Sequence, residues 1–219
     1  ATSEVAEFYI KKYPERMVLL KNKENRGLNY TLNRCLKMAT GKYIARMDGD
    51  DICLPERFAV EYEILEKEKA ISIVSTDMGY FDETGIWGNI SHPEYPKKED
   101  FLHGSPFCHA PCMIQKEAYD RVGGYTVDKR LLRYEDCNLW YKLYSKGYRG
   151  YNLQEPLYKM RDDRNAFQRR TVSSRLRAVY VQYNGFRMIH MPLKYYPYLV
   201  IEMSKSIVVG LMPKVVYDF

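Results

Sequence analysis

Asp48, Asp50 and Asp51 crowd three carboxylates into four positions at the end of the strand-like run Tyr43-Ile44-Ala45-Arg46-Met47. Carboxylates that close repel one another unless a cation or a tight hydrogen-bond set compensates them. Three chemistries compete for the cluster. A calcium loop of the EF-hand type requires oxygen ligands at alternate positions and a glutamate at the twelfth. Counting from Asp48, the fifth position is Ile52 and the twelfth is Ala59, so that reading fails. A structural reading makes Asp51 a helix cap and the other two a solvated turn. The third puts Mg²⁺ or Mn²⁺ on a carboxylate while the metal bridges a diphosphate. Such ions keep most of their waters and take only one or two protein carboxylates. The mouth of a strand is also where open α/β sheets bind ligands.

Two further groupings bear reactive side chains. Cys108, His109 and Cys112 lie close enough to suggest a metal cluster, against which stands the reading of buried, reduced thiols. Glu135-Asp136 opens an apolar-periodic segment, where carboxylates complement the positive end of a helix.

The elements that must position these groups follow from periodicity. Helices are expected from Ser3, with Val5, Phe8, Tyr9 and Lys12 on one face, and from Leu28, with Leu28, Leu32, Cys35, Leu36 and Ala39 on one stripe and Gly41 as the C-terminal cap. A buried strand is expected over 16–20 and another over 43–47. Pro55 starts a helix with Phe58, Tyr62 and Leu65 inward, followed by a strand over 71–74. Residues 83–106, rich in Gly and Pro, read as a surface excursion, and 107–115 as an extended segment running into a short helix that ends at Gly123-Gly124. A helix over 135–146 turns Leu139, Trp140, Leu143 and Tyr144 inward and stops at Gly147, and a strand over 151–160 precedes a helical tail. Strands alternating with helices predict an α/β sandwich around a mostly parallel sheet.

Composition narrows the class. Of 219 residues, 46% are hydrophobic and 28% charged, enough for one domain with a core, or a domain plus an appendage. The net charge of +6 favours anionic partners such as diphosphates or an anionic membrane face. No aromatic-basic RNA signature or zinc-finger spacing is present, so no nucleic-acid partner is expected. Five scattered cysteines form no secreted disulfide framework. A cytoplasmic protein, peripheral at the inner face of the cell membrane, is the expectation.

The blocks Asn25-Arg26-Gly27-Leu28, Asn33-Arg34, residues 41–51 and Pro55-Glu56-Arg57 resemble the nucleotide-sugar half of family-2 glycosyltransferases. Residues 108–119, Val122-Gly123-Gly124-Tyr125 and Tyr134-Glu135-Asp136-Cys137-Asn138-Leu139-Trp140 resemble the acceptor half, in the right order. The resemblance implies the GT-A fold over 1–165, followed by a helical extension over 166–219. It implies Asp50 as the metal ligand for Mn²⁺ or Mg²⁺, Asp48 as a contact of the nucleotide ribose, and Arg26, Gly27 and Asn33 near the nucleotide. It makes Asp136 the base that takes the acceptor proton in an inverting transfer, with Glu135 supporting the acceptor site and His109 in the acceptor loop. Trp140 reads as core packing rather than a sugar platform.

The expected donor is a nucleotide sugar, foremost a UDP-sugar, and the acceptor a glycan or lipid-linked hydroxyl of bacterial surface-polysaccharide assembly. Gln168-Arg169-Arg170 lacks the tryptophan of processive relatives, so single-sugar transfer is expected. A non-catalytic sugar-nucleotide or glycan-binding scaffold is the alternative, and binding alone would need no base at Asp136.

Arg161, Arg164, Arg169, Arg170, Arg175 and Arg177, tempered by Asp162 and Asp163, form a basic band that suits a diphosphate flap, a membrane-facing patch or a solvated helix face. Residues 195–212 are too short to span a bilayer, and read as an interfacial helix or as a packing face on the domain or a homodimer partner. The family begins with a strand, a helix and a second strand, whereas this chain begins in what resembles the next helix. By that resemblance its N-terminal strands, about forty residues or more, are missing from this numbering.

Overall fold

The computed structural model describes residues 2–162 and 171–211. The chain divides into two compact units, Ala1–Ala39 and Thr40–Phe219.

In the first unit, α1 spans Thr2–Lys12 and α2 spans Leu28–Met38. Gly27 caps α2 at φ 86, a left-handed conformation that suits glycine. The preceding loop is tied to the helix. Asn25 Oδ1 accepts from the Gly27 amide at 3.0 Å, Asn22 Nδ2 donates to Thr31 Oγ1 at 2.7 Å, and Arg34 Nη1 donates to Lys21 O at 2.9 Å. The strand expected over 16–20 is absent. Met17, Val18 and Leu19 are exposed, and no described strand pairs with them. An apolar run becomes a strand only where a ladder satisfies its backbone. The α2 cap is Ala39 rather than Gly41.

The second unit is built on one six-stranded sheet. Its strands are β1 (Tyr43–Ala45), β2 (Ile52–Cys53), β3 (Ile73–Asp82), β4 (Gly85–Ile90), β5 (Met113–Gln115) and β6 (Gly150–Arg161), in the order β1-β5-β3-β6-β2, with β4 paired to β3. The sheet is mixed, not mostly parallel. Only β3 with β6 is a parallel pairing among the described strands; β1–β5, β5–β3, β3–β4 and β6–β2 are antiparallel. The alternation of strands and helices misled because β5 returns between β1 and β3. Those two share a direction, as the crossover through α3 (Arg57–Lys67) predicts, but they are not neighbours. The 83–106 segment contains the β4 hairpin arm and a 3₁₀ helix over Lys98–His103.

Helices cover the sheet. Leu65 of α3 packs with Ile71, Val74 and Met113. The rest of the α3 face is inverted relative to expectation: Arg57 and Glu61 are buried while Phe58 and Tyr62 are exposed. The guanidinium earns this place by donating to Arg46 O at 2.9 Å. On β3 and β6, Met78 and Tyr158 pack with Cys108 and Ala110.

A short helix, α4 (Lys116–Val122), ends at Gly123 in the left-handed conformation, as expected. The long helix forms as α5 (Glu135–Ser145), with Leu139, Trp140, Leu143 and Tyr144 buried as the pattern requires. Trp140 is a core residue, donating Nε1–H to Ser105 Oγ at 3.0 Å. Gly147 stops the helix region at φ 88.

The tail supplies α6 (Val172–Met188) and α7 (Tyr196–Leu211). Helix α6 approaches α5 through Gly185, where an added Cβ would lie 2.2 Å from the Tyr141 ring. No described helix is long and apolar enough to cross a membrane. Of the basic band, Asp163, Arg164, Arg169 and Arg170 lie outside the described residues, as do Gln168 and Met212.

Candidate functional site

The acidic turn hangs between β1 and β2. Arg46 follows β1 and is held by its amide, which donates to Cys112 O at 2.9 Å. Residues two apart on an extended chain share a face, and Arg46 Nη2 reaches both Asp48 oxygens, at 2.7 and 2.9 Å. The Asp48 amide donates to the Tyr158 hydroxyl at 3.1 Å, and that hydroxyl donates to Asp51 Oδ2 at 2.7 Å. The Arg161 amide donates to Asp51 Oδ1 at 2.8 Å. Asp51 is therefore a staple between the turn and β6, not a helix cap. Burial pushes its carboxyl above the ordinary range, and Asp48 and Asp50 add to that, against the pull of the two hydrogen bonds.

Asp50 differs from its neighbours. It is exposed and makes no hydrogen bond or ion pair within the described residues. Asp48 and Asp51 already carry bonded carboxylates, so the turn offers one uncommitted oxygen donor pair. No group of three metal-ligating side chains occurs among the described residues. This donor set fits a hard cation that arrives with its own phosphate and water ligands and needs one carboxylate. It does not fit a protein-built cage.

Asp136 stands at the start of α5 and lines a cavity of about 340 Å³ with Tyr134 and Cys137. Its carboxyl sits above the ordinary aspartate value because of burial, and the adjoining Glu135 adds to the rise. The Cys137 amide and the charge of Arg46 act in the opposite sense. Arg46 thus couples electrostatically to the acidic turn on one side and to Asp136 on the other. Glu135 is buried beside Asp136 and is not among the residues lining the cavity.

His109 does not line the cavity either. Its Nε2 lies 2.8 Å from the Tyr125 hydroxyl, and its ring meets Trp140 edge-on at 5.8 Å. Burial, with Arg46 nearby, holds it well below the usual histidine range, so it is a neutral ring. Cys108 and Cys112 are buried thiols; burial pushes Cys108 up to about 12 and Cys112 well above the ordinary thiol range. The Cys112 thiol donates to Cys108 O at 2.8 Å, and no group of three metal-ligating side chains occurs among the described residues, which supports the buried-thiol reading.

Arg26, Gly27 and Asn33 belong to the first unit. Gly27 is the α2 cap, Arg26 stacks over the Tyr30 ring at 4.1 Å, and Asn33 lies one turn into the helix. Sequence reading assigned no role to Arg46, although its two-residue spacing from Asp48 was the available signal. It also missed Tyr158 and the cavity walls, which no local pattern marks.

Residues 1–123 match the family described as Glycosyl transferase family 2. EpsE of Bacillus subtilis, assigned as a glycosyltransferase, is 39% identical over 217 residues, covering 99% of this chain and 77% of that protein. The UDP-Gal:alpha-D-GlcNAc-diphosphoundecaprenol beta-1,3-galactosyltransferase of Escherichia coli is 29% identical over 196 residues, covering 87% of this chain and 68% of its own. Among solved structures, Staphylococcus aureus TarS in complex with UDP-GlcNAc superposes with a TM-score of 0.64 at 11% identity, over 94% of this chain and 68% of that one. At that identity the likeness is one of fold, the GT-A α/β architecture that the motifs implied.

Proposed function

Since this chain belongs to glycosyl transferase family 2, and is a glycosyltransferase, we propose that it moves one sugar, with inversion, from a nucleotide-sugar donor to a hydroxyl of a glycan or lipid-linked acceptor in polysaccharide biosynthesis. The observation that carries this reading is Asp136, a carboxyl lifted by burial at the wall of a cavity and linked through Arg46 to the acidic turn.

In the proposed reaction the acceptor oxygen attacks the anomeric carbon as Asp136 takes its proton. The bond from that carbon to the diphosphate breaks, and the nucleoside diphosphate leaves with the bonding pair. The raised carboxyl makes Asp136 a better proton acceptor than an ordinary aspartate, and Glu135 beside it sustains that rise. Arg46 holds Asp48, the proposed ribose contact, through both carboxylate oxygens, and Arg26, Gly27 and Asn33 are proposed as nucleotide contacts of the first unit. Asp50 would hold Mn²⁺ or Mg²⁺, which when bound stabilises negative charge on a departing diphosphate. A UDP-sugar donor is supported by the E. coli relative, which takes UDP-Gal, and a lipid-linked acceptor by that enzyme's diphosphoundecaprenol substrate.

A peripheral membrane position is part of the proposal. Leu193, Val200, Ile201 and Met203 are exposed on the tail beside Lys194 and Lys205, a composition that suits the interface of an anionic bilayer. Co-sedimentation with anionic vesicles, with and without residues 190–219, tests this; equal recovery would sink it.

The central test is transfer or hydrolysis across a panel of nucleotide sugars, with Mn²⁺ or EDTA, alongside calorimetric UDP binding. Asp136→Asn should abolish turnover and keep UDP binding. Asp50→Ala should remove the Mn²⁺ dependence of UDP binding. Unchanged turnover in Asp136→Asn overturns the base, and UDP binding indifferent to Mn²⁺ in the unsubstituted protein overturns the role of Asp50.

A further inference from the structure

The cavity in front of Asp136 has an outer wall that the family motifs do not supply. Its inner side is the start of α5, with Tyr134, Asp136 and Cys137. Its outer side comes from the tail: Ala178, Val181 and Gln182 of α6, and Tyr198 and Glu202 of α7. We infer that α6 and α7 form the outer wall of the acceptor subsite, and that Tyr198 and Glu202 select a short saccharide as acceptor. This rests on the reading of Asp136 as the base.

The wall is fixed at several points, so the cavity is a built feature rather than a loose seam. Gln182 Nε2 donates to the carbonyls of Phe101 and Leu102 at 3.2 and 3.0 Å. Gly185 lets α6 lie directly on Tyr141, where no side chain would fit. The His103 ring meets Tyr198 edge-on, centroids 6.0 Å apart, tying α7 to the 3₁₀ helix across the cavity.

The lining chemistry matches a saccharide. At about 340 Å³ the space lies at the lower end of small-molecule sites, which suits a short saccharide and not a long chain. Tyr134, Tyr141 and Tyr198 are among the lining residues, and aromatic rings suit the apolar C–H face of a sugar. Glu202, whose Oε1 takes the Lys205 ammonium at 2.9 Å, keeps a carboxylate oxygen for sugar hydroxyls. A carboxylate–hydroxyl bond is charge-assisted, so it discriminates strongly between acceptors.

The test uses the full chain, the donor found active, and a panel of undecyl-diphosphate monosaccharides and disaccharides as acceptor probes. Tyr198→Ala and the near-isosteric Glu202→Gln are compared with the parent for acceptor KM, donor hydrolysis without acceptor, and UDP affinity. Acceptor KM should rise by about tenfold or more in each variant, through loss of charge assistance in Glu202→Gln and of the aromatic face in Tyr198→Ala. Donor hydrolysis and UDP affinity should stay within about twofold, since the inference assigns both residues to the acceptor alone. Unchanged acceptor KM in both variants overturns the inference, as does a parallel loss of UDP affinity, which would assign the cavity to the donor. Donor hydrolysis with no transfer to any probe also overturns it. Absence of hydrolysis and transfer with every donor overturns instead the reading of Asp136 on which it rests.

Discussion

Tyr158 and Asp51 are 107 positions apart, yet the Tyr158 hydroxyl donates to Asp51 Oδ2 at 2.7 Å while accepting the amide of Asp48 at 3.1 Å. One buried phenol thereby sets the shape of the turn that carries Asp50. Arg57 packs over the same ring at 5.1 Å, so the phenol is held from the helix side as well.

Tyr158→Phe removes that bridge without changing the packing. It leaves the Asp48 amide and one Asp51 oxygen short of a partner, and should cost about 1–3 kcal/mol of stability. Denaturant titration measures the loss. Calorimetry should show weaker UDP binding in the presence of Mn²⁺, because Asp50 is then less well placed.

Asp136 must be deprotonated to accept a proton. Burial raises its pKa above the ordinary 3.8, so turnover should fall with decreasing pH at a higher pH than an ordinary aspartate would set. Arg46 pulls the value down, so Arg46→Gln should move the acidic limb of the pH–rate profile further up. A limb that stays in place would remove Arg46 from that coupling.

Glu61 is buried, and burial pushes its carboxyl up to about 8 from an ordinary 4.5, with Arg57 opposing at 3.8 Å. The folded protein therefore binds more protons at this site than the unfolded chain between those two values. Stability from this group is full below pH 4.5 and declines as pH rises toward 8. Glu61→Gln, neutral throughout, should flatten that decline, as read from denaturation midpoints across the same range.

Gly185→Ala introduces a methyl where the Tyr141 ring stands 2.2 Å from the added carbon. Displacing α6 should cost about 1–3 kcal/mol by overpacking. Thermal unfolding should register the cost. Acceptor-dependent transfer should drop more than donor hydrolysis, because the shift opens the wall and leaves the acidic turn alone.

Parts of this architecture were legible in advance because their information is local. The helix α5 was readable from the 3.6-residue spacing of Leu139, Trp140, Leu143 and Tyr144 and from the stop at Gly147. The same logic failed on α3. Its apolar positions Phe58 and Tyr62 form a stripe, but Arg57 and Glu61 took the buried face because Arg57 had a backbone carbonyl to satisfy. The segment over 16–20 failed for a related reason, since hydrophobicity proposes a strand but only a neighbouring ladder makes one.

The sequence by itself determined which groups were available. The Asp48–Asp51 turn, the Glu135-Asp136 helix start and their family resemblance all lie in contiguous residues. Tertiary structure alone decided three things: that β5 lies between β1 and β3, that Tyr158 closes the acidic turn, and that α6 and α7 wall the cavity before Asp136. The division has a physical cause. Side-chain period and capping act within a turn or two of chain, whereas sheet order and cavity walls depend on contacts between distant segments. Those contacts form only when buried area and satisfied hydrogen bonds outweigh the entropy of closing long loops.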